Sequence, residues 1–151
     1  MKMWMLFVGV TILCWGAYVP TIHHGQMAFG KNSALRAFMF VGLAYFLLAG
    51  GVLAYLYWTR SEPLEFPGGA MRISTLAGIL GAFGALGIVF AIKAGGTPLV
   101  VAPLVFAGAP VVNTLVSMMW DKPAKMPGAM FYVGILMACA GAAIVLRFKP
   151  T

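Results

Sequence analysis

The stretch Lys93–Trp120 reads KAGGTPLVVAPLVFAGAPVVNTLVSMMW and carries no ionised side chain after its first residue. It is longer than the roughly 20 apolar residues with which a helix crosses a membrane. It nevertheless contains Pro98, Pro103 and Pro110. An internal proline removes one backbone donor and frees the carbonyl four residues earlier, and in lipid only protein or a water-filled cavity can satisfy that carbonyl. The stretch therefore predicts a bent membrane helix with protein or a cavity on one side.

One face of this predicted helix is polar. Pro103, Pro110 and Ser117 recur every seven residues, and at about 100° per residue they return to nearly the same side, with Asn113 close by. Two interpretations remain open: a bent helix that packs against protein, or a face that lines a cavity in a transporter. In the second interpretation, Pro110, Asn113 and Ser117 are candidate substrate-binding residues.

The composition indicates an integral membrane protein. The chain has 151 residues, of which 62% are hydrophobic and 9% are charged, and a soluble domain of this length could not bury so much apolar surface. The net charge of +7 comes from basic residues scattered over short loops and termini, which places them at lipid headgroups and predicts no nucleic-acid partner. We expect the protein in the cell (inner) membrane, with the lipid bilayer as its surroundings.

The apolar segments predict an all-α bundle of five transmembrane helices that forms a single domain over residues 1–151. Strands are excluded because an open strand in lipid leaves backbone groups unpaired. The first helix should end at Pro20 and the polar residues after it, so that His23 and His24 lie in a loop at the interface. The predicted helices cover approximately residues 3–21, 34–59, 72–92, 97–120 and 128–146.

Small residues mark two of these helices as packing surfaces, because they let helix backbones approach closely in membranes. The third helix should be central, with more than one neighbour. The small residues in question are Gly78, Gly81, Gly84 and Gly87 of the third helix, and Gly134, Ala138, Gly141 and Ala142 of the fifth.

Three more residues are candidates for substrate binding. Trp15 lies eleven residues after Trp4, about 16 Å deeper at about 1.5 Å per residue, so it is either core filler or a stacking platform for a sugar-like ring. Tyr18 shares its helix face at a spacing of three residues. Lys93 ends the third helix and would meet an anionic or hydroxylated solute, unless it extends to the headgroups.

The absence of acidic residues from the predicted spans counts against several kinds of chemistry. No Asp or Glu lies in any predicted span, which counts against cation/proton antiport and against metal sites made of clustered carboxylates. His23 and His24 are adjacent and point about 100° apart on a helix, so they make a poor ligand pair. The cysteines form no metal motif. We therefore expect no enzymatic activity, no catalytic residues, no metal and no cofactor.

The order of motifs resembles a known family. Trp15-Gly16 lies in the first helix, the Gly-rich third helix ends at Lys93, and a Gly-Thr-Pro turn leads to a helix with a central Pro110 and then to GILMACAGAAIVL. This order resembles one EamA-like five-helix repeat of the drug/metabolite transporter superfamily, on its sugar/metabolite porter side, and is most similar over residues 78–146. Many such repeats end the fourth helix with Gly-Glu, whereas this chain has Trp120-Asp121.

The resemblance implies a transporter or half-transporter for a small neutral or anionic metabolite. Full members of the superfamily usually carry two such repeats in opposite orientation, and this chain has one. The alternative function is a non-transporting structural or accessory membrane protein. The two are distinguished by whether Trp15, Asn113 and Ser117 are packed without a cavity.

The basic residues give no clear orientation. If the five helices alternate in direction, five basic residues fall on each side, whereas the positive-inside rule requires an asymmetry. Either other signals orient the chain, or it inserts both ways and forms an antiparallel homodimer that reproduces inverted repeats. A heterodimer with a similar half is the further possibility. The two groups are Lys2, Arg60, Arg72, Lys122 and Lys125, and Lys31, Arg36, Lys93, Arg147 and Lys149.

Overall fold

The computed structural model describes residues 2–31, 33–120 and 125–149, and over these residues it contains helices and no strand. All five helices are long and apolar enough to cross a membrane. The predicted all-α membrane fold is therefore confirmed, and the chain is a multi-pass integral membrane protein. The helices are α1 Met3–Phe29, α2 Ala34–Thr59, α3 Gly68–Lys93, α4 Pro98–Trp120 and α5 Ala129–Arg147.

The predicted end of the first helix was wrong. α1 continues through Pro20 to Phe29, so His23 and His24 lie on a helix and not in a loop. A single proline costs a helix one donor but does not end it when packing fixes the following turns. Gln26 supplies such packing because it is buried and its side chain donates a hydrogen bond to the carbonyl of Val89 on α3.

α3 also begins earlier than predicted, at Gly68 instead of residue 72. Pro67 has extended backbone angles and acts as the N-cap, and its carbonyl accepts a hydrogen bond from the N–H of Met71 at 3.0 Å. The glycines that suggested a turn therefore form the first turn of the helix.

The fourth helix begins at Pro98, where a missing N–H costs nothing because the first helical turn has no intrahelical acceptor. The carbonyl of Thr97 accepts hydrogen bonds from the next turn of backbone N–H groups. Pro103 and Pro110 both lie inside α4, as predicted.

The helices form two compact units. The first unit comprises Met1–Val19 and Gly95–Thr151, in which α4 packs along α5. The second unit comprises Pro20–Ala94, in which α2 packs along α3 and the end of α1 contacts α3 through Gln26. Within the second unit, α3 therefore packs against α2 and accepts one side-chain hydrogen bond from Gln26 of α1. The buried side chains of α2 and α3 are Ala34, Ala37, Ala85, Ile88, Val89 and Ile92.

Within each unit, the glycines of α3 and α5 do not make close contacts with another helix among the described residues. A Cβ atom added at any of them would meet no atom of the described residues within 4 Å outside its own helix turn. The buried part of α3 lies instead towards its C-terminal end, from Ala85 to Ile92. Small residues permit close approach but offer little contact area themselves, and Gly78 and Gly81 line an open cleft beside α2. The glycines concerned are Gly78, Gly81, Gly84, Gly87, Gly134 and Gly141.

Candidate functional site

Three aromatic side chains of the first unit form an aromatic cluster: Trp15 and Tyr18 of α1, and Phe106 of α4. The ring centroids of Trp15 and Tyr18 lie 5.7 Å apart, and those of Trp15 and Phe106 lie 6.2 Å apart in an edge-to-face arrangement. Such geometry suits the quadrupoles of aromatic rings. Trp15 and Phe106 both remain 37% exposed, whereas the Tyr18 hydroxyl is buried. The cluster thus keeps accessible ring surface.

Phe106 was not among the predicted site residues. It precedes Pro110, Asn113 and Ser117 by four, seven and eleven residues, which places all four within a sector of about 60° on one side of α4. We call Pro110, Asn113 and Ser117 the α4 polar stripe. Because Trp15 contacts Phe106, the aromatic cluster lies on the same side of α4 as this stripe. The spacing from Phe106 to Pro110 was readable in the sequence, but an apolar residue in an apolar helix gave it no emphasis.

The α4 polar stripe is open in the single chain. Pro110, Asn113 and Ser117 are all exposed. The side chains of Asn113 and Ser117 make no hydrogen bond with any residue that the structure describes. The amide of Asn113 offers two donors and an acceptor, and the hydroxyl of Ser117 offers one donor and two acceptors. These groups are therefore available to a solute, to water or to a second chain.

α4 packs along α5, and two polar side chains of α5 contact α4 away from the α4 polar stripe. The Cys139 thiol donates to the carbonyl of Ala107 at 3.7 Å, and the Tyr132 hydroxyl reaches the sulfur of Met118 at 4.0 Å. Ala107 follows Phe106, whose carbonyl lacks its helical hydrogen bond because Pro110, four residues later, has no N–H. Polar side chains of α5 thus contact α4 both near this proline and at its C-terminal end.

Lys93 belongs to the second unit, whereas the other five predicted site residues belong to the first. It is the last residue of α3 and is exposed. A cation at this position interacts favourably with the negative end of the helix dipole.

A polar contact that was not predicted from the sequence joins α1 to α3 in the second unit. Gln26 is 6% exposed, and its Nε2 donates to the carbonyl of Val89 at 3.2 Å. The Ser33 hydroxyl in turn donates to the backbone carbonyl of Gln26 at 2.7 Å. Val19 and Gln26 are both buried and lie seven residues apart on α1. This helical spacing is the feature of the sequence that indicates that Gln26 shares a buried face with Val19.

Arg36 of α2 donates hydrogen bonds to the backbone at and just after the C-terminal end of α1. Its Nη2 donates to the carbonyls of Phe29 and Lys31 at 2.9 and 3.1 Å, and its guanidinium lies 5.6 Å from the centroid of the Phe29 ring. The last carbonyls of a helix have no intrahelical donor, so this arginine satisfies groups that would otherwise need water.

Among the described residues, no further ligand side chain joins the two histidines of α1. Nδ1 of His23 is buried without a hydrogen-bond partner among the described residues, whereas His24 is exposed, and their ring centroids are 6.0 Å apart. Within the part of the chain that the structure describes, no three His, Cys, Asp or Glu side chains are grouped so that they could hold a metal ion.

An apolar cleft of about 350 Å³ lies between α2 and α3 in the second unit. It includes none of the six predicted substrate-binding residues, and its walls offer little polar chemistry. Its lining residues are Phe38, Val41, Gly42, Tyr45, Ala77, Gly78, Gly81 and Ala82.

Comparisons with protein-family models, with curated proteins and with solved structures found no match to this chain. The resemblance to a drug/metabolite transporter repeat therefore stays a prediction from the sequence.

Proposed function

We propose that this chain is a transporter subunit of the cell (inner) membrane that carries a small neutral or anionic metabolite. The observation that carries this proposal is the exposed α4 polar stripe beside the aromatic cluster. A polar group in hydrocarbon without a partner is costly, and polar side chains in membrane helices usually face protein or a water-filled cavity. A solute pathway along this side of α4 would give Asn113 and Ser117 such surroundings.

The chemistry of the site favours neutral or anionic solutes over cations. None of the five helices contains Asp or Glu, so the spans offer no carboxylate to pair with a cation. The exposed rings of Trp15 and Phe106 can cover the apolar face of a solute, while the amide of Asn113 and the hydroxyl of Ser117 can bind its polar groups. In this proposal the protein is not an enzyme and needs no cofactor.

The proposal includes a second copy or a similar half-transporter. One chain presents the α4 polar stripe on an open side, and intramembrane hydrogen bonds average only about 0.6 kcal/mol, so the stripe alone does not drive association. The open glycine faces of α3 and α5 offer the close packing that association needs. An antiparallel homodimer or a heterodimer would combine two repeats in the arrangement that many transporters use.

A transport assay with reconstituted vesicles tests the function. We expect uptake of a solute from a panel of neutral and anionic metabolites, and we expect Asn113→Leu to abolish it while the inserted amount of protein stays near normal. Val112→Leu is the matched control, because Val112 is an exposed neighbour on α4 that lies outside the stripe. Equal loss of protein and activity in Asn113→Leu would show instead that Asn113 is a packing residue.

The two-way insertion has its own test. Cysteines placed at residue 151 should be labelled from both sides of the membrane, because the basic residues are balanced. Three lysines added after residue 151 should bias insertion to one orientation and lower transport, and an oppositely biased copy should restore it. Labelling from one side only, without added lysines, would rule out the antiparallel homodimer.

The accessory function is the second candidate, because open glycine faces also suit docking to the helices of another membrane complex. Stable co-purification with such a complex, together with no transport of any solute in the panel, would favour it over the transporter.

A further inference from the structure

Three basic residues gather at one end of the second unit, which we call the basic end: Lys31, Arg36 and Lys93. Arg36 and Lys31 are held together because the guanidinium donates to the Lys31 carbonyl at 3.1 Å. The hydrogen bond from Gln26 to the Val89 carbonyl brings the ends of α1 and α3 to a similar level. Lys93 follows Val89 by one turn of α3, and all three basic side chains are exposed.

The basic end differs in charge from the opposite end of the same unit. No acidic residue stands in the connection from α1 to α2 or at the end of α3. At the opposite end, the connection from α2 to α3 carries Glu62 and Glu65, which balance Arg60 and Arg72 in number. The second unit thus has three cations and no acid at one end, and two cations with two acids at the other.

The guanidinium of Arg36 is held in place but retains donors. It lies over the ring of Phe29, which stacks on Phe40 with centroids 5.6 Å apart. One nitrogen, Nη2, makes both backbone hydrogen bonds, whereas a guanidinium has five N–H donors. The remaining donors suit the oxygens of a phosphate group.

We propose that the basic end binds the phosphate of an anionic phospholipid in the leaflet that it faces. The ends of membrane helices lie at the level of the headgroups, and basic residues there attract anionic lipids. A guanidinium held by its packing and two flexible lysines suit a phosphodiester, which carries a single charge on two free oxygens. The lipid site shares Lys93 with the candidate substrate-binding residues, but lipid retention is measured without transport, so the two proposals are tested separately. Soluble inorganic phosphate shares the same chemistry, so the experiment separates the two sources.

Lipid retention measures the site directly. The whole protein in detergent is mixed with equal amounts of phosphatidylglycerol and phosphatidylcholine, repurified, and analysed for bound lipid by mass spectrometry. We expect retention of phosphatidylglycerol over phosphatidylcholine. Each basic residue contributes about fivefold to such binding, so Lys31→Gln/Lys93→Gln should lower phosphatidylglycerol affinity roughly 30-fold. Arg36 is left unchanged because it also closes α1.

The matched control is Arg60→Gln/Arg72→Gln, which removes two cations from the opposite end of the same unit. It should retain phosphatidylglycerol nearly as well as the unmodified protein. Equal losses in the two double variants would overturn the proposal, because the lipid would then respond only to net charge. Equal retention of both lipids by the unmodified protein would also overturn it.

Two measurements on the unmodified protein keep the test decisive if a variant misfolds. Added sodium chloride should release phosphatidylglycerol, because salt screens exposed charges. If the amount of retained phosphatidylglycerol does not fall as salt is added, the proposal is contradicted. The unfolding temperature, followed by tryptophan fluorescence, should rise with phosphatidylglycerol but not with inorganic phosphate at matched ionic strength. An equal rise with inorganic phosphate would assign the site to a soluble anion and overturn the lipid assignment.

Discussion

Replacement of Gln26 should measure how far α1 depends on its contact with α3. The Nε2 of Gln26 lies 3.2 Å from the Val89 carbonyl, which is towards the long end of the range for such bonds. Hydrogen bonds between membrane helices average about 0.6 kcal/mol and reach about 1.7 kcal/mol. Gln26→Met keeps a chain of similar length without the donor, so it should lower the free energy of unfolding by about 0.5–1 kcal/mol.

A truncation at the same position should cost more. Gln26 is 6% exposed and Val89 is fully buried, so Gln26→Ala leaves a void beside Val89 as well as losing the hydrogen bond. Truncation of long buried side chains to alanine typically costs about 2 kcal/mol or more. The order of stability should therefore be unmodified protein, then Gln26→Met, then Gln26→Ala.

Reversible unfolding in mixed micelles of mild detergent and dodecyl sulfate, followed by tryptophan fluorescence, provides the measurement. Met27→Ala is the control, because Met27 is the next residue on α1 and is 69% exposed. It should change the unfolding free energy by less than about 0.5 kcal/mol. If Gln26→Ala is no less stable than Met27→Ala, the contact between α1 and α3 does not hold the end of α1, and the reasoning is refuted.

Three further predictions follow from the same contacts. Arg36→Gln should lower the unfolding free energy by about 1 kcal/mol, because the carbonyls of Phe29 and Lys31 lose a charged donor that is partly screened by exposure. Arg72→Gln should leave the unfolding free energy unchanged. Phe106→Ala should reduce solute uptake more than Val105→Ala, since both residues are 37% exposed and the ring of Phe106 contacts Trp15. Equal effects would remove Phe106 from the site. Gly84→Leu should leave helix content unchanged in circular dichroism, because nothing lies within 4 Å of an added Cβ and Gly84 does not line the cleft between α2 and α3. It should nevertheless abolish cross-linking between copies, and undiminished cross-linking would exclude this face from the dimer.

The class of fold was predictable from the sequence because the membrane restricts the choices so strongly. A backbone in hydrocarbon must satisfy its own hydrogen bonds, so long apolar segments could only become helices. Their number followed from composition and length, and the positions of Pro103 and Pro110 within α4 followed from the length of that segment. Boundaries after short turns, as at Pro98, were set by local chemistry that the sequence shows directly.

The end of α1 was decided by tertiary structure. Local sequence rules predict a loop where a proline is followed by polar residues, as at positions 20–26, because proline lacks a backbone donor and polar groups avoid hydrocarbon. The helix continues because Gln26 meets the Val89 carbonyl on α3 and because Arg36 of α2 satisfies the last carbonyls of α1. Those partners lie on other helices, so the sequence pattern of α1 alone could not predict these contacts.

The candidate site shows the same division. Helical spacing alone placed Pro110, Asn113 and Ser117 on one side of α4, since the period of a helix is fixed. The sequence did not distinguish Phe106 from the other apolar residues of α4, because only its contact with Trp15 makes it part of the aromatic cluster. The glycines likewise predicted surfaces for close helix packing, whereas among the described residues no atom lies within 4 Å of a Cβ added at any of them, and Gly78 and Gly81 line an open cleft beside α2. Periodicity determines which residues share a face, but only packing decides what that face meets.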